Sequence, residues 1–142
     1  MQELDKDNLK PQAKTILIVE DDVVNVRVFC KVISKYSDLN VKHTEDVEEI
    51  LRIAQAGEAD LVLMDISVSL RDYEGKEVDS LDITKMLKSH PLTTNVPVIL
   101  ITANFLPGTS TLSVMEESGA NFCIPKPIIN HQIFVDQIRM FL

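Results

Sequence analysis

Three features of this 142-residue sequence predict an α/β fold, an open parallel sheet with helices on both faces. Short apolar runs recur along the chain, among them Ile16-Leu17-Ile18-Val19, Leu61-Val62-Leu63-Met64 and Val98-Ile99-Leu100-Ile101. Continuous runs of this length mark strands buried on both faces, as parallel strands are. Stretches with helical apolar spacing separate the runs, and repeated βα units wind a parallel sheet between helical layers. Finally, polar residues follow the runs: Glu20, Asp21 and Asp22 after the first, then Asp65, then Thr102, and Lys126 after Phe122-Cys123-Ile124-Pro125. In open parallel sheets, ligand chemistry gathers beyond the carboxyl ends of the strands.

The elements follow in order. The first strand is expected at 15–19 and the first helix at about 23–37, with Val24, Val28, Phe29, Val32 and Ile33 as its apolar stripe. A second strand at 41–44 leads to a helix capped by Asp46, with Val47, Ile50, Leu51 and Ala54 facing inward and Gly57 at its end. The third strand is expected at 60–64. Residues 66–79 then show no clear periodicity over fourteen positions, where such loops commonly span about two to six. This segment reads equally as a functional loop or a tolerated surface insertion. A third helix at 80–89 is stopped by Pro91, and a fourth strand at 96–102 has Pro97 at its start. A fourth helix at 109–118 closes at Gly119, a fifth strand spans 121–124, and a fifth helix runs from 130 to 142. The architecture expected is a flavodoxin-like three-layer sandwich, a five-stranded sheet of order 2-1-3-4-5 with five helices.

Composition narrows the function classes. A single domain is expected over residues 14–142, with 1–13 a flexible polar lead-in. Twenty-two acids against 14 bases give a net charge of -8, which argues against nucleic acid as a partner. The apolar stretch around Val96 to Ala103 is too short to span a bilayer, and the opening residues lack a signal-peptide apolar core, so no membrane role is expected. Cys30 and Cys123 form neither a CxxC motif nor a disulfide framework, and read as small buried hydrophobes in a reducing, cytoplasmic setting. His43, His90 and His131 are scattered and show no ligand spacing.

The strand-end residues suggest phosphoryl chemistry. Carboxylates held together raise one another's pKa, and a hard divalent cation with oxygen ligands removes that cost. With no His or Cys ending the first or third strand, Mg²⁺ is expected rather than zinc, held by Asp21 and Asp65 with Glu20 nearby. The competing reading, helix capping, suits Asp22, which directly precedes the first helix. Asp65 ends an all-apolar strand, where a carboxylate can act as a nucleophile toward phosphorus. Phosphoryl transfer needs mainly positioning and neutralisation of oxygens, which Mg²⁺, Lys126 and the Thr102 hydroxyl would share. Taken singly, Thr102 is an ordinary strand residue and Lys126 an ordinary surface charge; their joint placement distinguishes them.

These same residues carry a resemblance. Ile16-Leu17-Ile18-Val19-Glu20-Asp21-Asp22 is similar to the first strand and acidic corner of response-regulator receiver domains. Leu61-Val62-Leu63-Met64-Asp65 resembles their phosphoacceptor strand, and Thr102-Ala103, Lys126-Pro127 and Gly119-Ala120 match further signatures, over about residues 14–142. The resemblance implies that Asp65 accepts phosphate from a phosphohistidine on a histidine kinase or histidine phosphotransfer protein. It implies that Asp21, Asp65 and the Ser67 carbonyl bind Mg²⁺, with Glu20 acting through a metal-bound water. Thr102 and Lys126 would hold the phosphoryl group, and the Lys126–Pro127 bond would be cis. Such a domain assists its own phosphorylation and dephosphorylation but is otherwise no enzyme.

Departures from the family pattern are also legible. Val68-Ser69-Leu70 lacks the proline usual after the phosphoacceptor, and Cys123 stands where the switch aromatic commonly lies. A buried thiol cannot swing between pockets as a ring with a hydroxyl does. Ser67 and Asn104, each two residues beyond a site residue, are expected to tune access of the hydrolysing water. With helix five last in the sequence, output is expected by docking to an unknown downstream protein, at the face of the fourth helix, fifth strand and fifth helix. Val23, Val24 and Val26 on the first helix are expected either to meet the kinase or to fill the core. Two alternatives remain open: a phosphorylation-independent scaffold of the same fold, and an aspartyl phosphatase. The latter would commonly carry a second acid where Ser67 stands.

Overall fold

A computed structural model describes residues 13–66, 70–102 and 111–142. The expected tail, apart from Ala13, therefore lies outside the described residues. Five strands form the main sheet: β1 (Thr15–Val19), β2 (Asn40–His43), β3 (Leu61–Ile66), β6 (Val98–Thr102) and β7 (Phe122–Pro125). Their order is β2-β1-β3-β6-β7, all neighbours parallel, which is the order expected with the two hairpin strands below left out of the numbering. Five helices are described: α1 (Val23–Tyr36), α2 (Val47–Gln55), α3 (Ser80–Ser89), α4 (Thr111–Ser118) and α5 (His131–Arg139). Among the described residues no helix is long and apolar enough to cross a membrane.

Strand alternation sorts the core into two layers. Leu17, Val19, Val62, Met64, Val98, Leu100 and Cys123 face α2 and α3, where Ile50, Ala54, Ile83 and Leu87 pack on them. Ile16, Ile18, Leu61, Leu63, Ile99, Ile101 and Ile124 face α1 and α5, against Phe29, Ile33, Phe134 and Ile138. Phe122 packs on this second side and Cys123 on the first, so the two neighbours point to opposite faces. Both free thiols are buried, and burial pushes each above its ordinary pKa, which keeps them neutral and apolar.

Two expectations need correction. The α1 stripe does not include Val24 and Val28, which are 66% and 45% exposed; Phe29, Cys30, Val32 and Ile33 carry the buried face. The segment 66–79 is also not structureless, since Ile66 continues β3 and a hairpin follows. Strands β4 (Arg71–Tyr73) and β5 (Lys76–Val78) pair antiparallel, with Tyr73 opposite Lys76. Glu74 (φ 51°) and Gly75 (φ 80°) make the two-residue turn, both in the left-handed region that such hairpin turns require. A lone two-stranded hairpin is marginal in water. This one is held by buried Val78 and by Tyr73, both packed on the α2/α3 side of the core.

Helix starts follow cap chemistry. Asp22, Asp46, Asp79 and Asn130 each accept a backbone N–H from the first turn of α1, α2, α3 and α5. Asp79 and Asp82 form a reciprocal capping box at α3, which fixes where that helix begins beside the end of β3.

Candidate functional site

Parallel pairing brings the strand ends to one rim. Asp65 pairs in register with Ile101 and Ile66 with Thr102, while Thr102 pairs with Pro125. The Lys126 N–H then donates to the Thr102 carbonyl at 2.7 Å, extending the β6–β7 pairing past Pro125. The Lys126–Pro127 peptide bond is cis. From this position the Lys126 ammonium donates to Asp65 Oδ2 and lies 3.7 Å from Glu20 Oε2. Asp65 and Thr102 are 4% and 5% exposed, and Glu20 is 2% exposed. Chain segments 61 residues apart at Asp65 and Lys126 therefore meet in a part-buried ion pair.

Glu20 carries the electrostatic burden of this rim. Its Oε1 accepts the Asp22 N–H at 3.0 Å, but among the described residues its buried Oε2 has no hydrogen-bond partner. At 3.7 Å the Lys126 ammonium is an ion-pair neighbour of that oxygen and lies beyond hydrogen-bond reach. Burial pushes the Glu20 carboxyl up to about 8, and the neighbouring Asp65 and Asp21 side chains add to the rise, while the Asp22 N–H opposes it. Glu20 thus links the other two acids. Among the described residues no three His, Cys, Asp or Glu side chains converge to hold a metal between themselves. Magnesium needs few protein ligands, because it keeps several waters and asks only for oxygen. Two neighbouring carboxylates, Glu20 and Asp65, one with an orphaned buried oxygen, fit such an ion. Ser67, expected to add its carbonyl, lies outside the described residues, as does Asn104.

Three residues that the sequence did not mark support the rim. Ser80, 1% exposed at the start of α3, donates its hydroxyl to the Asp65 carbonyl at 2.8 Å. Thr84, fully buried, donates to the Ser80 carbonyl at 2.8 Å within α3, while the Ser80 hydroxyl ties the end of β3 to that helix. His43 Nε2 meets the Glu20 carbonyl at 2.7 Å from the end of β2. A serine opening a helix is common, so spacing alone gave no sign that Ser80 turns inward.

A doubly wound parallel sheet with carboxylates, a hydroxyl and a lysine at its strand ends is the architecture of a signal receiver domain. The family model for the response regulator receiver domain matches residues 16–138. The polar-differentiation response regulator DivK of Brucella anthropi is 31% identical over 129 residues, covering 91% of this chain and 96% of DivK. Stress response regulator protein 1 of Scheffersomyces stipitis is 25% identical over 130 residues, which span 90% of this chain but 42% of that protein. In fold, the chain is similar to the signal receiver domain of a signal transduction histidine kinase from Syntrophus aciditrophicus, with TM-score 0.73, 24% identity and coverage of 92% and 90%. It is also similar to the receiver domain of sensor histidine kinase PA1611 from Pseudomonas aeruginosa, solved with a magnesium ion coordinated in the active-site cleft. There the TM-score is 0.67, with 24% identity and coverage of 91% and 94%. The chain belongs to the response-regulator receiver domains of two-component systems. Domains of this family bind Mg²⁺ in their active sites and interact with histidine kinases or phosphotransfer proteins.

Proposed function

We propose that Asp65 accepts a phosphoryl group from a phosphohistidine on a histidine kinase or histidine phosphotransfer protein, and that the domain then signals by docking to another protein. The observation that carries this reading is the part-buried Asp65–Lys126 pair at the strand-end rim, beside an acid, Glu20, one oxygen of which has no hydrogen-bond partner among the described residues. An Asp65 carboxylate oxygen forms the new P–O bond as the P–N bond of the phosphohistidine breaks, and that bond's electron pair returns to the imidazole. Lys126 holds one phosphoryl oxygen and the Thr102 hydroxyl another. Asp21, Asp65 and the Ser67 carbonyl would hold Mg²⁺, with Glu20 acting through water, and the bound ion would supply positive charge to the phosphoryl group. The Ser80 hydroxyl keeps the end of β3, and with it the Asp65 carboxylate, in place during the transfer.

The donor docks at the α1 edge of the rim. Val26 packs on the core, whereas Val23 and Val24 are 60% and 66% exposed, so the expected division between core and contact residues falls between them. Beside them an apolar cleft of about 450 Å³, lined by Asn25, Val28, Phe29, Lys126, Pro127 and Ile128, opens next to the phosphoacceptor's lysine. Ile129, 87% exposed, extends the same face. Phosphorylation draws Thr102 toward the phosphoryl group, without an aromatic partner at Cys123.

The test is incubation with acetyl phosphate and Mg²⁺ followed by intact mass. A gain of one phosphoryl group, lost in Asp65→Asn, is the expected result. A wild-type chain that stays unmodified under these conditions supports the second reading, a phosphorylation-independent scaffold, which the thiol at Cys123 favours.

A further inference from the structure

The hairpin brings in a charged group that the phosphoacceptor rim does not use. Along β4 the side chains alternate, so Arg71 and Tyr73 share a face with Val78 across the ladder, while Asp72 and Glu77 are exposed on the other. Tyr73 and Val78 pack on the core and carry Arg71 inward with them. Both terminal nitrogens of its guanidinium are buried, and among the described residues neither has a hydrogen-bond partner. A guanidinium does not shed its proton, so it cannot neutralise itself to escape burial. Folded proteins avoid a buried charge without an acceptor, and such a group calls for a missing ligand.

The surroundings say what kind. Arg71 lines a cleft of about 390 Å³ with Asp21, Glu45, Asp46, Val47, Leu70 and Asp72. Among the described residues none of these acids hydrogen-bonds the two terminal nitrogens. Asp46 accepts the Glu49 N–H at the start of α2, Asp21 contacts the Glu20 carboxyl, and Glu45 and Asp72 are exposed. Asp21, which lines the cleft, is next in sequence to Glu20, and Glu20 Oε2 lies 3.7 Å from the Lys126 ammonium at the rim.

We propose that Arg71 is a clamp for a phosphoryl oxyanion at the mouth of the phosphoacceptor site. Its forked N–H donors match two phosphate oxygens at once. The oxyanion has two sources, a phosphodonor on its way in or the phosphoryl group already on Asp65. This inference rests on Asp65 as the phosphoacceptor.

Phosphoramidate is the probe for both sources. Its P–N bond breaks with the electron pair leaving on ammonia, and a P–O bond forms to Asp65. Wild type, Arg71→Lys and Arg71→Gln are compared with Mg²⁺ present throughout. In Arg71→Gln the half-saturating phosphoramidate concentration rises about tenfold or more, the size of one lost charged hydrogen bond, with Arg71→Lys in between. An unchanged acyl-phosphate lifetime then assigns the oxyanion to the incoming donor, and a lifetime shortened several-fold assigns it to the group on Asp65. In an Asp65→Asn background, which has no carboxylate to phosphorylate, inorganic phosphate raises Tm, and adding Arg71→Gln removes that rise. Arg71→Gln matching wild type in uptake, lifetime and phosphate response overturns the clamp. A wild type that takes up no phosphoryl group overturns the phosphoacceptor reading instead, and the Asp65→Asn phosphate response then decides the clamp by itself.

Discussion

The strand-end rim and the hairpin each bury a polar group that lacks a hydrogen-bond partner among the described residues, and the two groups have opposite sign. At the rim it is Glu20 Oε2; in the hairpin it is the Arg71 guanidinium. The carboxyl relieves itself by taking a proton, which is why burial and neighbouring acids drive it up to about 8. The guanidinium has no such route and must find an anion. The difference shows how one corner of a small domain holds two kinds of readiness, one adjustable by pH or a cation and one fixed until an anion arrives.

The largest effect should come from unbalancing the rim. Lys126→Ala leaves Asp65 and Glu20 buried without their cation, and losing one partner of a buried pair costs about 3 kcal/mol or more. Urea unfolding without divalent ions is expected to show that loss, while Arg71→Gln, which removes an unpaired charge, is expected to leave stability unchanged or raised. The same rim sets a pH dependence. Folding raises the Glu20 pKa from 4.5 to about 8, so the native state holds a proton that the unfolded chain releases. That contribution is complete below about pH 4.5 and is lost as pH climbs through about 8. Without metal, the urea midpoint of wild type should fall between these limits relative to Glu20→Gln; parallel profiles for the two proteins would remove Glu20 as the source.

The rim was legible in the sequence because its logic is local. Glu20, Asp65 and Lys126 directly follow an apolar run and Thr102 closes one, and parallel pairing then brings the run ends together without further instruction. The hairpin was not legible, because its signal is a pair of turn dihedrals. Two-residue turns of this kind favour Asn-Gly or Asp-Gly, and Glu74-Gly75 carries only half of that signature. The flanking triplets, Arg71-Asp72-Tyr73 and Lys76-Glu77-Val78, are too short and too charged to show alternation above noise. Val24 and Val28 misled for the opposite reason. Their spacing suits a buried helix face, but the α1 face that meets the sheet is turned toward Phe29, Val32 and Ile33.

A smaller effect separates the two regions at their junction, where α3 begins. Ser80→Ala removes the hydroxyl that ties the Asp65 carbonyl to α3, at a cost of about 1–2 kcal/mol for a buried hydrogen bond. If Ser80 positions the phosphoacceptor, phosphoramidate uptake should slow more than the stability loss alone requires, and Ser80→Thr, which keeps the hydroxyl, should restore the rate. Equal rates for Ser80→Ala and wild type, with only the urea midpoint shifted, would confine Ser80 to holding the helix.

The smallest expected effect lies at the tip of the hairpin. Glu74 sits at φ 51°, where a side chain with a Cβ is disfavoured by roughly 1–2 kcal/mol, although Asn tolerates the region through its short polar side chain. Glu74→Asn would complete the Asn-Gly turn and is expected to add up to about 1 kcal/mol, read as a higher urea midpoint. Because Tyr73 and Val78 already seat the hairpin on the core, a firmer turn leaves Arg71 where it is and the phosphoramidate half-saturation unchanged. A change in half-saturation with no change in midpoint would mean that the turn sets how far Arg71 reaches into the cleft, and that the hairpin moves during phosphoryl transfer.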